Sequence, residues 1–248
     1  MSDAVMTESD AVAFDHRDAG TPEEEWRASD RWASVPWSDA RGFDHALVVA
    51  AHPDDETLGA GALLARLRRA GTRVTIVLAT RGEGAYSVDT SLQRVAEFHA
   101  AVSRVAPECT IVDLGLPDGG LRDHESMLES GIRACGPADL VVAPWRGDAH
   151  GDHDAAGDAA TRVASTHGAL LLEYPVWLWH WAAPHDPRIP WSSFVRVPQS
   201  GADRRAKNSA LESYASQSSP PPGEEPILHT GMLAHFTRDW ETFVRTEP

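Results

Sequence analysis

The sequence of 248 residues predicts an α/β fold: a Rossmann-like, doubly wound, mostly parallel sheet with helices on both faces and an extra C-terminal layer. The first observation is that apolar runs alternate with amphipathic stretches from residue 45 onward. The second is that these runs are nearly continuous, which is typical of parallel strands that helices cover on both faces. The third is that polar motifs directly follow two of the runs, where such sheets bind ligands.

The first segment, residues 1–42, is acidic and irregular, but it contains Trp26, Trp32 and Trp37. A disordered tail seldom carries so many tryptophans, so we expect an N-terminal arm that packs on the main body. Residues 43–248 are predicted to form a single α/β domain.

The elements of the domain follow from the alternation. The predicted strands are HALVVAA, RVTIVLAT, CTIVDLGL, ADLVVAP and ALLLEYPVW. The predicted helices between them are LGAGALLARLRRAG, SLQRVAEFHAAVSRVA, residues 124–135 and residues 153–167. A short strand, SFVRV, a helix, ADRRAKNSALESYA, and a last helix over residues 229–245 then form the C-terminal layer.

Composition excludes several classes of partner. A formal net charge of -15 repels phosphates, so nucleic acid and anionic membranes are not expected partners. No apolar run approaches the roughly 18 residues that a membrane span needs, and the first residues lack the basic and apolar regions of a secretory signal. We therefore expect a cytoplasmic protein that acts on a small molecule. Cys109 and Cys135 are well separated and fit reduced thiols.

Two polar clusters follow predicted strands. The segment AHPDDE ends the first strand, and PWRGDAHGDHDAAG ends the strand LVVAP. A single histidine or aspartate at such a place is as often a helix cap or a satisfied, partly buried residue. Several acids and histidines together have no simple structural role, because burying them unpaired is costly and a dication would compensate their charge. His52, Asp55 and His153 make a three-ligand metal site with an open position for water or substrate.

The residues of the two clusters resemble a known family. HPDDE at 52–56, followed by LG at 58–59 and by Gly61, and the later HGDH at 150–153 resemble the PIG-L/LmbE-like deacetylases. These are zinc-dependent enzymes that remove acetyl groups from N-acetylglucosamine-containing substrates. The resemblance extends from about residue 46 to residue 175.

The resemblance implies roles for individual residues. It makes His52, Asp55 and His153 the zinc ligands and Asp54 the general base. Chemistry agrees, because amide hydrolysis needs an activated water, a polarised carbonyl and a proton for the departing amine. His150 lies three residues before a ligand, so it should face the same cavity, where an imidazolium could stabilise the oxyanion.

Further positions have weaker support. Arg94, in the family's R-x-x-E pattern with Glu97, and Asp118, in LPDGGL, resemble substrate-binding residues, although Arg94 could equally pair with Glu97 within the helix. Asp152 is expected either to hold His150 in its orientation or to cap the helix before His153. Glu56 lies at the predicted start of a helix, which suggests that it supports the site or pairs with the helix dipole. Asp148 stands where some relatives offer a tyrosine that polarises the substrate carbonyl.

Other features are open to two interpretations. Gly59 and Gly61 form a partial dinucleotide fingerprint, but Leu64 replaces the third glycine, so close helix packing explains them better. The run at 177–181, with three tryptophans and His180, is more often core or interface than a sugar-binding surface.

The predicted function is metal-dependent removal of an acetyl group from an N-acetylated sugar or sugar conjugate. The metal is expected to be Zn2+, although two histidines and an aspartate also accept Fe2+, Co2+ or Mn2+. One alternative is a metal-dependent amidase acting on a non-sugar N-acylated small molecule or natural-product intermediate. A non-catalytic ligand-binding protein and a nucleotide-dependent enzyme are further alternatives; Asp54 argues against the former, because binding alone does not require it.

Overall fold

The computed structural model describes residues 12–246 and contains a seven-stranded sheet with the strand order β3-β2-β1-β4-β5-β7-β6. Strands β1 to β5 are parallel, and β7 pairs antiparallel with both β5 and β6. The strands are β1 (His45–Ala50), β2 (Arg73–Thr80), β3 (Thr110–Leu116), β4 (Leu140–Pro144), β5 (Leu170–Tyr174), β6 (Phe194–Pro198) and β7 (Trp240–Thr246).

Helices cover both faces of the sheet, which confirms the doubly wound prediction. Alternate residues of β1 point into two separate apolar cores: Val48 packs with α2 and α3, whereas Leu47 and Val49 pack with α4 and α5. The helices are α1 (Glu23–Ala28), α2 (Asp55–Arg69), α3 (Ser91–Val105), α4 (Glu125–Arg133), α5 (Gly151–His167), α6 (Leu178–Trp181), α7 (Gly201–Leu211), α8 (Ala215–Ser218) and α9 (Thr230–Ala234).

The C-terminal region differs in part from the prediction. The helix predicted over residues 229–245 is wrong: only Thr230–Ala234 is helical, and Trp240–Thr246 forms β7. The segment WETFVRT is rich in aromatic and β-branched residues, and β5 and β6 offer it hydrogen bonds on both sides. Helix α7 packs outside α2 and α3 and forms the additional layer.

Gly59 allows α2 to approach the sheet closely. A Cβ atom at this position would lie 2.1 Å from the ring of Tyr174 at the end of β5. The hydroxyl of Tyr174 in turn donates to the carbonyl of Val49 in β1. The glycine therefore serves helix packing, as its sequence context indicated, because no larger residue fits there.

The described part of the N-terminal arm packs against the aromatic residues that follow β5 and against β6. Trp26 and Trp32 are buried and pack edge to face against other tryptophans, and Trp26 Nε1 donates to the carbonyl of Trp179. Trp37 is exposed but pairs with Arg196 of β6, whose guanidinium lies 4.1 Å from the indole. Residues 1–11 lie outside the described residues, so the arm over 1–42 and the single domain over 43–248 stay predictions.

Candidate metal centre

Sheet topology brings the two motif loops together. Strands β1 and β4 are neighbours and parallel, so the segments that follow them meet at the same edge of the sheet. Helix α2 begins at Asp55, directly after the first loop, and α5 begins at Gly151, directly after the second. His52 and His153 therefore lie side by side, with ring centroids 5.4 Å apart.

Both loops contain a strained backbone position. Asp54 has a φ angle of 139° and Ala149 has a φ angle of 61°, and neither residue is a glycine. Such conformations cost about 1–3 kcal/mol each, and they persist where the surrounding structure fixes them, most often at functional sites. Each strained residue directly precedes a predicted site residue, Asp55 or His150.

Of the three predicted ligands, Asp55 lies close to both histidines, but the trio is not one of the two sets whose ligand atoms cluster in the structure. Asp55 Oδ2 lies 3.4 Å from His52 Nδ1, and Asp55 Oδ1 lies 3.3 Å from His153 Nε2. The third histidine, His150, lies 4.6 Å from His153 by ring centroids. Among the described residues, two sets place their ligand atoms within 4.8 Å of one another, namely His52 with His150 and His153, and His52 with Asp118 and Asp152.

The donor set fits a divalent metal. His153 Nε2 is buried and has no hydrogen-bond partner, although a carboxylate oxygen of Asp55 lies nearby. His150 Nδ1 is likewise buried without a partner. Unpartnered buried ring nitrogens beside carboxylates are costly without a cation, and imidazole with carboxylate is a common donor set for zinc.

Asp148 orients His153. Its carboxylate accepts from His153 Nδ1 at 2.7 Å and from the backbone N–H groups of Val176, Trp177 and Leu178. The bond to Nδ1 leaves Nε2 facing the cavity, as in the carboxylate–imidazole pairs of metal sites. Asp148 is fully buried, so its side chain does not occupy the position of a tyrosine that would face the cavity.

Asp152 contacts a different histidine from the one expected. Its Oδ2 lies 3.2 Å from His52 Nε2, and the carboxylate also accepts the backbone N–H groups of Gly119 and Leu121. No bond joins it to His150 among the contacts of the described residues, and it does not cap α5, which begins before it. It therefore ties the loop after β3 to the imidazole of the first motif.

Asp118 approaches the same imidazole. Its Oδ1 lies 3.0 Å from His52 Nε2, and its Oδ2 accepts the backbone N–H of Gly84. Burial penalises the charged imidazole, but hydrogen bonds to Asp118, Asp152 and Asp55 outweigh that penalty and raise the pKa of His52 well above its usual value. Asp118 thus lies among the candidate metal-binding residues, and its substrate-binding role stays a prediction.

Asp54 is buried beside the predicted ligands. Its carboxylate forms an ion pair with Arg94, with Nη2 at 3.2 Å from Oδ2. Burial, assisted by the charge of Asp55, outweighs the attraction of Arg94 and raises the pKa of Asp54 to about 7. Arg94 therefore pairs with Asp54, whereas Glu97 accepts hydrogen bonds from Ser216.

His150 is held neutral in this structure. Burial, together with the nearby His153 and His52, lowers the pKa of His150 to about 3. The ring consequently offers an N–H group near neutral pH, which differs from the imidazolium expected from the sequence. The ring of His150 also stacks on the ring of Trp177, with an interplanar angle of 12° and ring centroids 6.5 Å apart.

Glu56 faces away from the ligands into a buried network. Its Oε1 accepts from the hydroxyls of Thr57 at 2.6 Å and Tyr214 at 2.7 Å, while Oε2 is buried without a partner. Burial raises the pKa of Glu56 to about 7. Tyr214 supports the motif from the C-terminal region, and no local sequence signal pointed to it.

A cavity of about 350 Å3 opens onto the cluster. Its polar side carries Arg94, Asp118 and Gly119. Its apolar lining includes Leu58, Val176, Leu228 and Met232. Of the run at 177–181, only Trp177 lines this cavity, because Trp179 is packed in the core.

Fold and site together define an α/β protein with a histidine and aspartate cluster, suited to a divalent metal, beyond the carboxyl ends of β1 and β4. A family model described as PIG-L, GlcNAc-PI de-N-acetylase, matches residues 47–164. A solved structure of a conserved protein from Thermus thermophilus is 30% identical, with a TM-score of 0.54, over 71% of this chain and 80% of that chain. The chain belongs to the PIG-L family.

Two curated relatives carry the same kind of name. The 1D-myo-inositol 2-acetamido-2-deoxy-alpha-D-glucopyranoside deacetylase of Kineococcus radiotolerans is 38% identical over 39% of this chain and 31% of its own length. Deacetylase 2 of the same description from Catenulispora acidiphila is 31% identical over 52% of this chain and 43% of its own length. The chain thus spans less than half the length of the curated relatives it matches.

More distant solved structures share the fold. The zinc-inhibited form of teicoplanin deacetylase is 19% identical, with a TM-score of 0.57, over 82% of this chain and 98% of that chain. A 4-carboxy-2-hydroxymuconate hydratase from Pseudomonas putida is 15% identical, with a TM-score of 0.56, over 82% of this chain and 95% of that chain. Because the fold accommodates both names, the reaction must be argued from the site. No helix within residues 12–246 is long and apolar enough to cross a membrane.

Proposed function

We propose that this protein is a metal-dependent hydrolase that removes the acetyl group from an N-acetylated amino sugar or sugar conjugate. The observation that carries the proposal is Asp54, a buried carboxylate that lies beside the candidate metal ligands and is held by Arg94. A binding protein needs no such group, whereas amide hydrolysis needs a group that accepts a proton from the attacking water. Family membership and the names of the curated relatives support the choice of an N-acetyl sugar.

His52, Asp55 and His153 would hold the metal. Zinc suits two imidazoles and a carboxylate, and when bound it would polarise the acyl oxygen and lower the pKa of a water molecule. Asp148 keeps His153 Nε2 turned toward the cavity, and Asp152 and Asp118 hold His52.

The remaining chemistry belongs to side chains of the cavity. The oxygen of the attacking water bonds to the acyl carbon while Asp54 accepts a proton from that water. Arg94 holds the Asp54 carboxylate in place. His150 donates its N–H to the oxyanion that develops on the acyl oxygen. Asp54 then returns the proton to the nitrogen, the C–N bond breaks, and acetate and a free amine result.

An acetate-release assay on metal-loaded protein tests the proposal directly. A panel of N-acetyl amino sugars and their glycosides should include at least one substrate that yields equimolar acetate and amine. If only a non-sugar N-acyl amide is cleaved, the amidase alternative replaces the sugar substrate. Elemental analysis of protein purified without added metal identifies the bound ion among Zn2+, Fe2+, Co2+ and Mn2+.

The role of Asp54 has its own test. Asp54→Asn should lower kcat by about 10²- to 10⁴-fold, because it removes the proton acceptor. Metal content should stay unchanged, because Asp54 pairs with Arg94. Asp158→Asn, on α5 and paired with the exposed Arg122, is the matched control and should retain wild-type kcat. Full turnover by Asp54→Asn would exclude this residue as the base.

A further inference from the structure

We propose that residues 14–21 of the N-terminal arm position a catalytic group: Phe14 holds the indole of Trp177 in place, and that indole orients His150. The inference rests on the proposed function, because it assumes that His150 donates its N–H to the oxyanion. It assigns a role in catalysis to a segment that lies outside the family match over residues 47–164. We call residues 14–21 the arm segment.

His150 differs from the other two histidines of the cluster in what holds its ring. A buried carboxylate bonds to the ring of His153, and two carboxylates lie within 3.2 Å of Nε2 of His52. Within residues 12–246, no carboxylate bonds to His150, and its Nδ1 is buried without a hydrogen-bond partner. Because no hydrogen bond to a carboxylate fixes this ring, its orientation depends on packing.

Trp177 supplies that packing from outside the predicted ligands. The rings of His153, His52 and Trp177 lie 4.6, 5.0 and 6.5 Å from the ring of His150 by centroids. The first two are predicted to hold the metal, and Trp177 stacks within 12° of parallel. An oxyanion donor must stay within about 0.5 Å of its productive position. A change in the rotamer of Trp177 would therefore reach the reaction.

The side chain of Trp177 is in turn held by the arm. Asp148 accepts its backbone N–H at 2.9 Å, but this bond leaves the indole free to change rotamer. Besides His150, two rings contact the indole: Phe14, at 5.1 Å by centroids, and His180, edge to face at 5.9 Å. Removing the ring of Phe14 should therefore loosen the indole.

The arm segment is built closely onto His180, which fixes the position of Phe14. The Nε2 of His180 donates to the carbonyl of Asp15 at 2.9 Å, and the backbone N–H of Thr21 donates to the carbonyl of His180 at 3.0 Å. Gly20 has a φ angle of 62°, and a Cβ atom there would lie 2.4 Å from His180 Nδ1. Only glycine allows this approach, so Gly20→Ala should displace the segment.

Steady-state kinetics on zinc-loaded protein test the inference with the best N-acetyl amino sugar of the acetate-release panel. Phe14→Ala should lower kcat roughly tenfold, less than the loss of about 100-fold expected when a reacting group moves by 1 Å. KM and zinc content should stay unchanged, because Phe14 touches neither the predicted ligands nor the cavity. Phe14→Tyr, which keeps the ring, should restore most of the lost kcat. Asp18→Ala, exposed in the same segment, is the matched control and should retain wild-type kcat.

A double-mutant cycle distinguishes positioning from a general structural effect. If the arm acts through His150, Phe14→Ala should cause no further loss of kcat in a His150→Ala background, because the group that it positions is already absent. An equal loss in both backgrounds overturns the inference. A loss of zinc from Phe14→Ala also overturns it, because the arm would then support the metal ligands and not His150.

Nuclear magnetic resonance gives a readout that needs no turnover. In zinc-loaded protein with ¹³C-labelled histidine, the Cε1–H signal of His150 is identified by its absence from His150→Ala. Phe14→Ala should move this signal in the same direction as Trp177→Leu does, because both change the ring current of the indole. Gly20→Ala should do the same, and it tests the inference if Phe14→Ala fails to fold. A signal that stays in place in both arm variants overturns the inference.

The outcomes separate this inference from the proposed function. If N-acetyl amino sugars are cleaved and Phe14→Ala retains wild-type kcat, the inference fails and the proposed function stands. If no N-acetyl amino sugar is cleaved, the proposed function fails, and the His150 signal alone then decides whether the arm positions that ring.

Discussion

The two ring nitrogens of His153 have different surroundings. Nδ1 bonds to the buried carboxylate of Asp148, and Nε2 faces the cavity without a hydrogen-bond partner. Asp148 also gathers three consecutive backbone N–H groups after β5, so one carboxylate fixes both the ring and the loop beside it. Asp148 thus orients His153 at the candidate metal site from the side away from the cavity.

Replacing Asp148 should weaken metal binding. In Asp148→Asn, an N–H₂ group replaces one of the two carboxylate oxygens and cannot accept hydrogen bonds from His153 Nδ1 or from the backbone N–H groups of residues 176–178. The ring of His153 therefore loses its fixed orientation. We expect the affinity for zinc to fall about 10- to 100-fold, measured by competition with a chromophoric chelator. Asp158→Asn, on the helix α5 that carries His153, should bind zinc as the wild type does. Unchanged affinity in Asp148→Asn would show that the carboxylate serves only the loop.

At the scale of elements, α2 is secured from the C-terminal region. The carboxylate of Glu241 in β7 accepts the backbone N–H groups of Ala62 and Leu63 in the interior of the helix. Lys207 of α7 donates to Glu241 at 2.7 Å and to the carbonyl of Leu58, and both charged side chains are buried. Helix α2, which begins with the predicted ligand Asp55, is therefore held in place by β7 and α7.

Breaking this pair should destabilise the fold strongly. Glu241→Gln leaves Lys207 buried without a countercharge, so we expect the free energy of unfolding to fall by about 3–5 kcal/mol. Urea unfolding followed by tryptophan fluorescence measures the change. Asp239→Asn provides the control, since its partner Arg204 is exposed and a surface pair contributes only about 0–1 kcal/mol. Equal losses in the two variants would contradict a special role for the buried pair.

The elements show which features sequence patterns can predict. The parallel strands and the motif loops were predictable, because apolar runs and their polar ends are local signals. The strand β7 was not, because its neighbours β5 and β6 decide its conformation. Likewise, Glu56 and Tyr214 are 158 positions apart, and no pattern joins them. Asp148 was noticed only as a missing tyrosine, since its bonds to residues 176–178 depend on how β4 and β5 align.

At the scale of the whole molecule, a buried ion cluster joins the arm to the C-terminal region. Glu23 of α1 accepts from Arg238 Nε at 2.8 Å and from His235 Nδ1 at 2.9 Å. The guanidinium of Arg238 lies 4.2 Å from the ring of Trp179 and over Trp32. Burial opposes the charge of Glu23, but the bonds from His235 and Arg238 prevail and lower its pKa.

This pKa gives the stability a defined pH dependence. A carboxyl whose pKa is lowered on folding contributes stability above its unfolded pKa, about 4.3 for glutamate, and loses that contribution as the pH falls through the folded value. Glu23→Gln should therefore cost about 3–5 kcal/mol at pH 7. The difference from wild type should shrink as the pH falls below about 4.

Urea unfolding of both proteins at several pH values measures this difference, and the other carboxyl groups cancel in the comparison. Glu24→Gln, the exposed neighbour on α1, should change stability by less than about 0.5 kcal/mol. A difference between wild type and Glu23→Gln that grows toward acid pH would contradict the assignment.

The bridge between Trp37 and Arg196 has a consequence for how copies of the chain meet. Strand β6 ends the sheet, and the backbone of Arg196 donates to Pro36 and accepts from Ser38. A bare terminal strand would offer these groups to any other extended chain. Because the arm occupies these groups from within the same chain, it protects this position of the edge strand from pairing with another copy.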